Sequence, residues 1–139
     1  MVNYSPKLTF GPEAADWQER LNPDRMRRGR VERAQMLMRK YGIATILEAN
    51  HQNIRYLTAL KGFAYPMVRY VLFFADQEPV MFEHDGYYHQ MPDQCPWIKE
   101  WRPARSWLTG SPGPEASAVE AKAFAGDIKA ELEKRGLLG

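Results

Sequence analysis

Apolar positions along this chain change period several times, and each change predicts an element. After Asn22-Pro23-Asp24, the residues Met26, Val31, Ala34, Leu37, Met38 and Tyr41 recur at helical spacing on one face. Asn suits the N-cap, Pro the first helical position and Asp the first turn. Gly42 is placed to end the helix in the left-handed conformation. The pattern predicts a helix over Pro23–Tyr41. The stretch Ile43–Ala49 follows, and reads as a buried strand. A helix leading through one glycine into such a strand is an α/β signature. Asn50-His51-Gln52-Asn53 reads as a polar turn, Ile54–Leu60 as a short helix, and the stretch around Gly62 and Pro66 as an exposed loop.

Two β-rich runs, Arg69–Ala75 and Pro79–Glu83, are joined by Asp76-Gln77-Glu78, a length that fits a hairpin. Asp85–Met91 is expected as a helical turn. Pro92, Pro96 and Pro103 break the next segment, and Trp97–Arg102 is expected as a short strand at a sheet edge, where proline is tolerated. Thr109–Pro114 is a loop by composition. A second long helix is predicted from about Glu115 to Arg135. Its apolar side comes from Ala118 or Val119, the Lys122 stem, Phe124 or Ala125, Ile128 and Leu132, and Gly136 ends it. Residues 1–21 have no clear period and are expected to form an arm, with room for a short helix at Glu13–Arg20. Residues 22–139 then form a single α/β domain.

Composition narrows the class. A chain of 139 residues is enough for one core. With 45% hydrophobic and 26% charged residues it matches a soluble globular domain. No apolar run approaches the roughly 20 residues that span a bilayer, so no membrane partner is expected. The first residues lack a basic stretch followed by an apolar one. A single cysteine excludes an internal disulfide, so a cytoplasmic location is expected. The first helix carries Arg25, Arg27, Arg28, Arg30, Arg33, Arg39 and Lys40. Such a stripe suits a nucleic-acid reader or a solvated face. Asp24 and Glu32 interrupt it and the net charge is only +2, so no nucleic-acid partner is expected.

The chain offers little chemistry of its own. His84 and His89 are five residues apart, which on a helix separates them by about 140° and denies them the shared face of a zinc-binding i, i+4 pair. His51 stands alone, and no metal is expected on this chain. Cys95 has no base beside it in sequence and reads as a small buried or half-buried thiol. Nucleophile-elbow, phosphate-loop and dinucleotide motifs are missing from the sequence. Phe63, Tyr65, Tyr87, Tyr88, Trp97 and Trp101 form the one candidate contact surface; ordinary core packing is the competing reading.

The motif Asn53-Ile54-x-Tyr56-Leu57-Thr58 adds a family likeness. With the opening helix (Met26-Arg27-Arg28-x-Arg30-x-x-Arg33), the strand Gly42–Leu47, the hairpin strands Tyr70–Phe74 and Val80–Phe82, and the closing helix, it resembles the N-terminal domain of the creatinase/prolidase metallohydrolases, which include Xaa-Pro peptidases. The likeness covers about Asp24 to Leu138. Met81-Phe82-Glu83 and the Trp97–Trp101 segment are also similar to dimethylsulfoniopropionate lyases of that superfamily. The resemblance implies a ribonuclease H-like fold, a mixed β-sheet flanked by helices. It also implies a catalytic C-terminal domain with two divalent metal ions, homo-oligomeric assembly, and residues lent to a neighbouring subunit's active site. A small peptide or small zwitterionic molecule would be the substrate of such a parent protein. Creatinase uses a Phe-x-Arg in the loop that here holds Phe63 and Tyr65. Phe63 matches, and Tyr65 in place of Arg argues against creatine. Xaa-Pro aminopeptidases lend a Trp from the region that here holds Tyr87, Tyr88 and His89. The substrate-capping candidates are therefore Phe63, Tyr65, Tyr87 and His89, with no catalytic residue on this chain. Arg135-Gly136-Leu137-Leu138 repeats the pattern of Tyr41-Gly42-Ile43, which leads into a strand. The expectation is that this chain is a piece of a longer protein.

Overall fold

The computed structural model describes residues 22–60, 68–106 and 113–138. The expected arm at 1–21, most of the loop around Gly62 and Pro66, and most of the loop before the last helix lie outside these residues. The described elements are five helices and four strands. They are α1 (Pro23–Lys40), β1 (Thr45–Glu48), α2 (His51–Thr58), β2 (Tyr70–Phe74), β3 (Val80–Glu83), α3 (Asp85–Tyr88), α4 (Met91–Gln94), β4 (Glu100–Pro103) and α5 (Pro114–Lys134). The strands form one mixed sheet in the order β1-β2-β3-β4. β1 and β3 each pair antiparallel with β2, and β4 pairs parallel with β3.

Side chains alternate across a strand, so each strand feeds two cores. Val71, Phe73, Met81 and Trp101 point to one face, where Met38 of α1, Ile54 and Leu57 of α2, Met91 of α4, and Cys95 and Ile98 close over them. Tyr70, Leu72, Phe74, Val80 and Phe82 point to the other face, onto Phe124 of α5. Both central strands are buried on both faces, which is why they read as unbroken apolar runs. Tyr70 stacks on Phe82 at 4.9 Å between ring centroids, and Phe124 meets Tyr70 edge-on at 4.6 Å.

The two long helices stop in the same way. Gly42 and Gly136 adopt φ of +67° and +69°. Past each glycine the backbone turns back: Ile43 N–H donates to Met38 C=O at 2.8 Å and Leu137 N–H to Leu132 C=O at 2.9 Å. These bonds satisfy carbonyls that a helix end leaves open. Ion pairs lock α5 over the sheet. Arg102 of β4 meets Glu131, and Arg105 meets Asp127 and Glu120. The hydrogen bond to Asp127 holds the Arg105 guanidinium above its ordinary range, against the opposing effect of burial.

Several expectations shift. Residues 43–49 were expected as a buried strand, yet β1 spans four residues and lies at the edge of the sheet among the described residues, with Leu47 43% exposed. An edge strand can be apolar without being covered. The apolar stripe of α1 narrows to Val31, Ala34 and Met38; Met26, Leu37 and Tyr41 are exposed. α2 starts at His51 instead of Ile54, because the Asn50 side chain accepts from Gln52 N–H and Asn53 N–H and caps the turn. The single helical turn over Asp85–Met91 is two short helices, α3 and α4. β4 begins three residues later than expected, leaving Trp97 outside it.

Candidate functional site

The Asn53–Thr58 motif, the body of α2, builds a corner that joins the end of β1 to the Trp97 segment. Asn53 Nδ2 donates to Glu48 at 2.9 Å, tying α2 to the end of β1. Ile54 and Leu57, three apart, turn into the core. Thr58 Oγ1 donates back to Ile54 C=O at 2.7 Å and accepts from Leu60 N–H at 3.2 Å. Thr58 C=O accepts from the Trp97 indole N–H at 2.7 Å. Ala59 then takes φ of 55°, a left-handed conformation that turns the chain away from the helix.

Next to this corner is a cleft of about 230 Å³ between α1, the end of α2 and the Trp97 segment. Its floor is apolar: Val31, Leu57, Phe73 and Ile98. Trp97 forms one wall, and the Arg27 guanidinium carbon sits 4.9 Å from the centre of that ring. Arg28, Glu32 and Glu78 also border it.

The capping candidates are distributed differently. Phe63 and Tyr65 lie outside the described residues. Tyr87 is in α3, half-buried and packed against the first core, with its ring 6.4 Å from that of His84. His89 caps the end of α3 and is exposed; its ring meets Tyr88 edge-on at 4.7 Å. Neither Tyr87 nor His89 lines the cleft. The proposed aromatic contact surface divides on inspection of burial. Trp101 is a core residue, while Tyr87, Tyr88 and Trp97 are half-buried against that core. Cys95 is buried, as a structural thiol would be. Among the described residues no three His, Cys, Asp or Glu side chains converge as metal ligands do. Among the described residues no helix is long and apolar enough to cross a membrane.

Two features escaped the sequence pattern. Arg69 and Glu83 form a fully buried ion pair, 2.6 Å between Nε and Oε2. Hairpin register held the signal: Tyr70 lies opposite Phe82, so the next pair outward is Arg69 and Glu83. Arg27 is the other. Its spacing of four from Val31, then Ala34 and Met38, continues the true buried stripe of α1, but its charge assigned it to the solvated face. No protein-family model matches the chain, and no curated protein matches it either.

Proposed function

We propose that this chain is an assembly and substrate-capping domain resembling the N-terminal domain of creatinase/prolidase-type metallohydrolases, with a ribonuclease H-like arrangement of its mixed sheet. In this reading it makes homo-oligomers and carries no catalytic residue. Two divalent metal ions and their ligands belong to a catalytic domain of a longer protein. A small peptide or small zwitterion is the substrate of the whole.

The observation that carries the assembly role is the uncovered β1 edge. Among the described residues β1 pairs only with β2, and none of them pairs with its outer row of backbone donors and acceptors. Around it Leu37, Tyr41, Ile43 and Leu47 are exposed, Tyr41 to 68%. Open sheet edges and uncovered apolar residues favour association with another chain. The opposite edge is blunted by Pro103 and by the charged residues Glu100 and Arg102. For the capping role, exposed His89 is the most accessible of the described candidates. Tyr87 offers only part of its ring.

Sedimentation of the 139-residue chain tests the assembly role. The expected species is a dimer or larger, and Leu47→Glu returns it to a folded monomer. A wild-type chain that remains monomeric at about 100 µM refutes it. Metal analysis gives a second check: about one tightly held ion per chain is incompatible with a purely supporting domain.

A further inference from the structure

We propose that the cleft between α1 and Trp97 is a binding site for a small organic monocarboxylate with an apolar body. The site is distinct from the β1 edge and does not depend on the assembly reading.

The donor comes first. Arg27 Nε is buried and, among the described residues, has no hydrogen-bond partner. One terminal nitrogen of the same guanidinium is 3.7 Å from Asp24, too far for a hydrogen bond. The guanidinium carbon lies 4.9 Å from the centre of the Trp97 ring, and cation–π attraction holds it there. The indole itself is held because its N–H is committed to Thr58 C=O. A guanidinium held at the cleft wall suits a planar carboxylate, which its two terminal nitrogens can match with parallel hydrogen bonds while the buried Nε stays out of a ligand's reach.

Shape and charge set the rest of the ligand. The floor of Val31, Leu57, Phe73 and Ile98 provides no polar side chain to bond, so the body that lies there is apolar. A volume of about 230 Å³ falls below the roughly 300–1,000 Å³ of pockets for drug-sized ligands. The ligand is accordingly small, of the size of one aromatic ring with a short acid chain. Glu32 and Glu78 stand at the border with Arg28. Their carboxylates repel a second negative charge, which disfavours phosphates and polycarboxylates. The same acids would accept an amino group, so a free carboxylic acid and an α-amino acid share the required chemistry.

The test uses the full 139-residue chain labelled with ¹⁵N, and the Trp97 indole N–H resonance as a local reporter. The probes are 3-phenylpropionate, phenylalanine, phenethylamine and inorganic phosphate. Saturable displacement of the Trp97 signal by 3-phenylpropionate, phenylalanine or both is expected, with affinity in the millimolar range or tighter. Tighter binding by phenylalanine assigns Glu32 and Glu78 to an ammonium; tighter binding by 3-phenylpropionate assigns them to exclusion alone. Arg27→Gln should weaken the better acid about tenfold or more. Should that variant lose its dispersed spectrum, Arg27→Lys keeps the charge without the planar fork and should still weaken binding. No displacement by either acid at about 10 mM overturns the proposal. So does phenethylamine or phosphate binding as tightly as the acids, or undiminished affinity in the folded Arg27 variants.

Discussion

Arg69 and Glu83 face each other across β2 and β3 with almost no exposure to water. Two charges leave water at high cost, and the pair is stabilised because both carboxylate oxygens of Glu83 accept hydrogen bonds. Glu83 Oε2 takes the Arg69 bond, Oε1 accepts from His84 N–H at 3.0 Å, and its backbone carbonyl accepts from Ala104 N–H at 2.7 Å. Removing one partner strands the other. Arg69→Met should therefore destabilise the fold by about 3–5 kcal/mol. The double variant Arg69→Met with Glu83→Leu should recover most of that loss, since it removes both desolvated charges. Urea denaturation of the three chains measures both changes, and a double variant no more stable than Arg69→Met would show that the charge itself is not what costs.

At the level of elements, α2 is the most instructive. It is eight residues long, too short to be stable alone in water. Its stability comes from the Asn50 cap, the Asn53 bond to Glu48, and the burial of Ile54, Leu57 and Thr58. Asn50→Ala leaves the N–H groups of Gln52 and Asn53 without their acceptor. The expected loss is about 1 kcal/mol, read as a lower midpoint of thermal unfolding. An unchanged midpoint would mean that water replaces the cap without penalty. Asn50 also explains why the turn and helix read as separate pieces in the sequence. A residue that suits a turn and a residue that caps a helix are the same residue types, and only the bonds distinguish them.

Across the whole molecule, charge ties the last helix to the sheet. Glu100 of β4 accepts from Arg102, Lys134 and Arg135, and Arg135 also lies 4.4 Å from the Phe74 ring and bonds Gln77 in the β2–β3 turn. One cluster thus joins α5, β4 and the hairpin turn. Burial alone would raise the Glu100 carboxyl, but the hydrogen bonds from Lys134 and Arg135, with their charges, outweigh it and hold it below its ordinary 4.5. A carboxyl depressed in the folded state binds its proton more readily when unfolded. Its stabilising contribution is therefore complete above 4.5 and is lost as the pH falls through the lower folded value. Glu100→Gln should cost about 1–2 kcal/mol at neutral pH, because the site is partly exposed and screened. It should also flatten the acid limb of the stability curve. Denaturation midpoints from pH 3 to 7 test this, and parallel curves for the two chains would exclude Glu100 from acid unfolding.

The one-dimensional pattern determined which segments become helices and strands, because period, caps and terminating glycines act over a few residues. Asn22, Gly42 and Gly136 announce their roles this way, and so do the runs around Leu72 and Met81. The unbroken apolar run Val71-Leu72-Phe73-Phe74 marked a strand, and the fold buries it on both faces. Tertiary structure alone decided which apolar residues are covered. Leu47 and Phe73 belong to neighbouring strands and are both apolar, yet Leu47 is exposed on a strand that pairs, among the described residues, only with β2, while Phe73 is buried under α1, α2 and α4. It also decided that Arg27 lies on Trp97 and that Glu100 meets Lys134 and Arg135, which are 34 and 35 residues away in sequence. Covering and gathering depend on which elements become neighbours in space, and a local pattern carries no record of that.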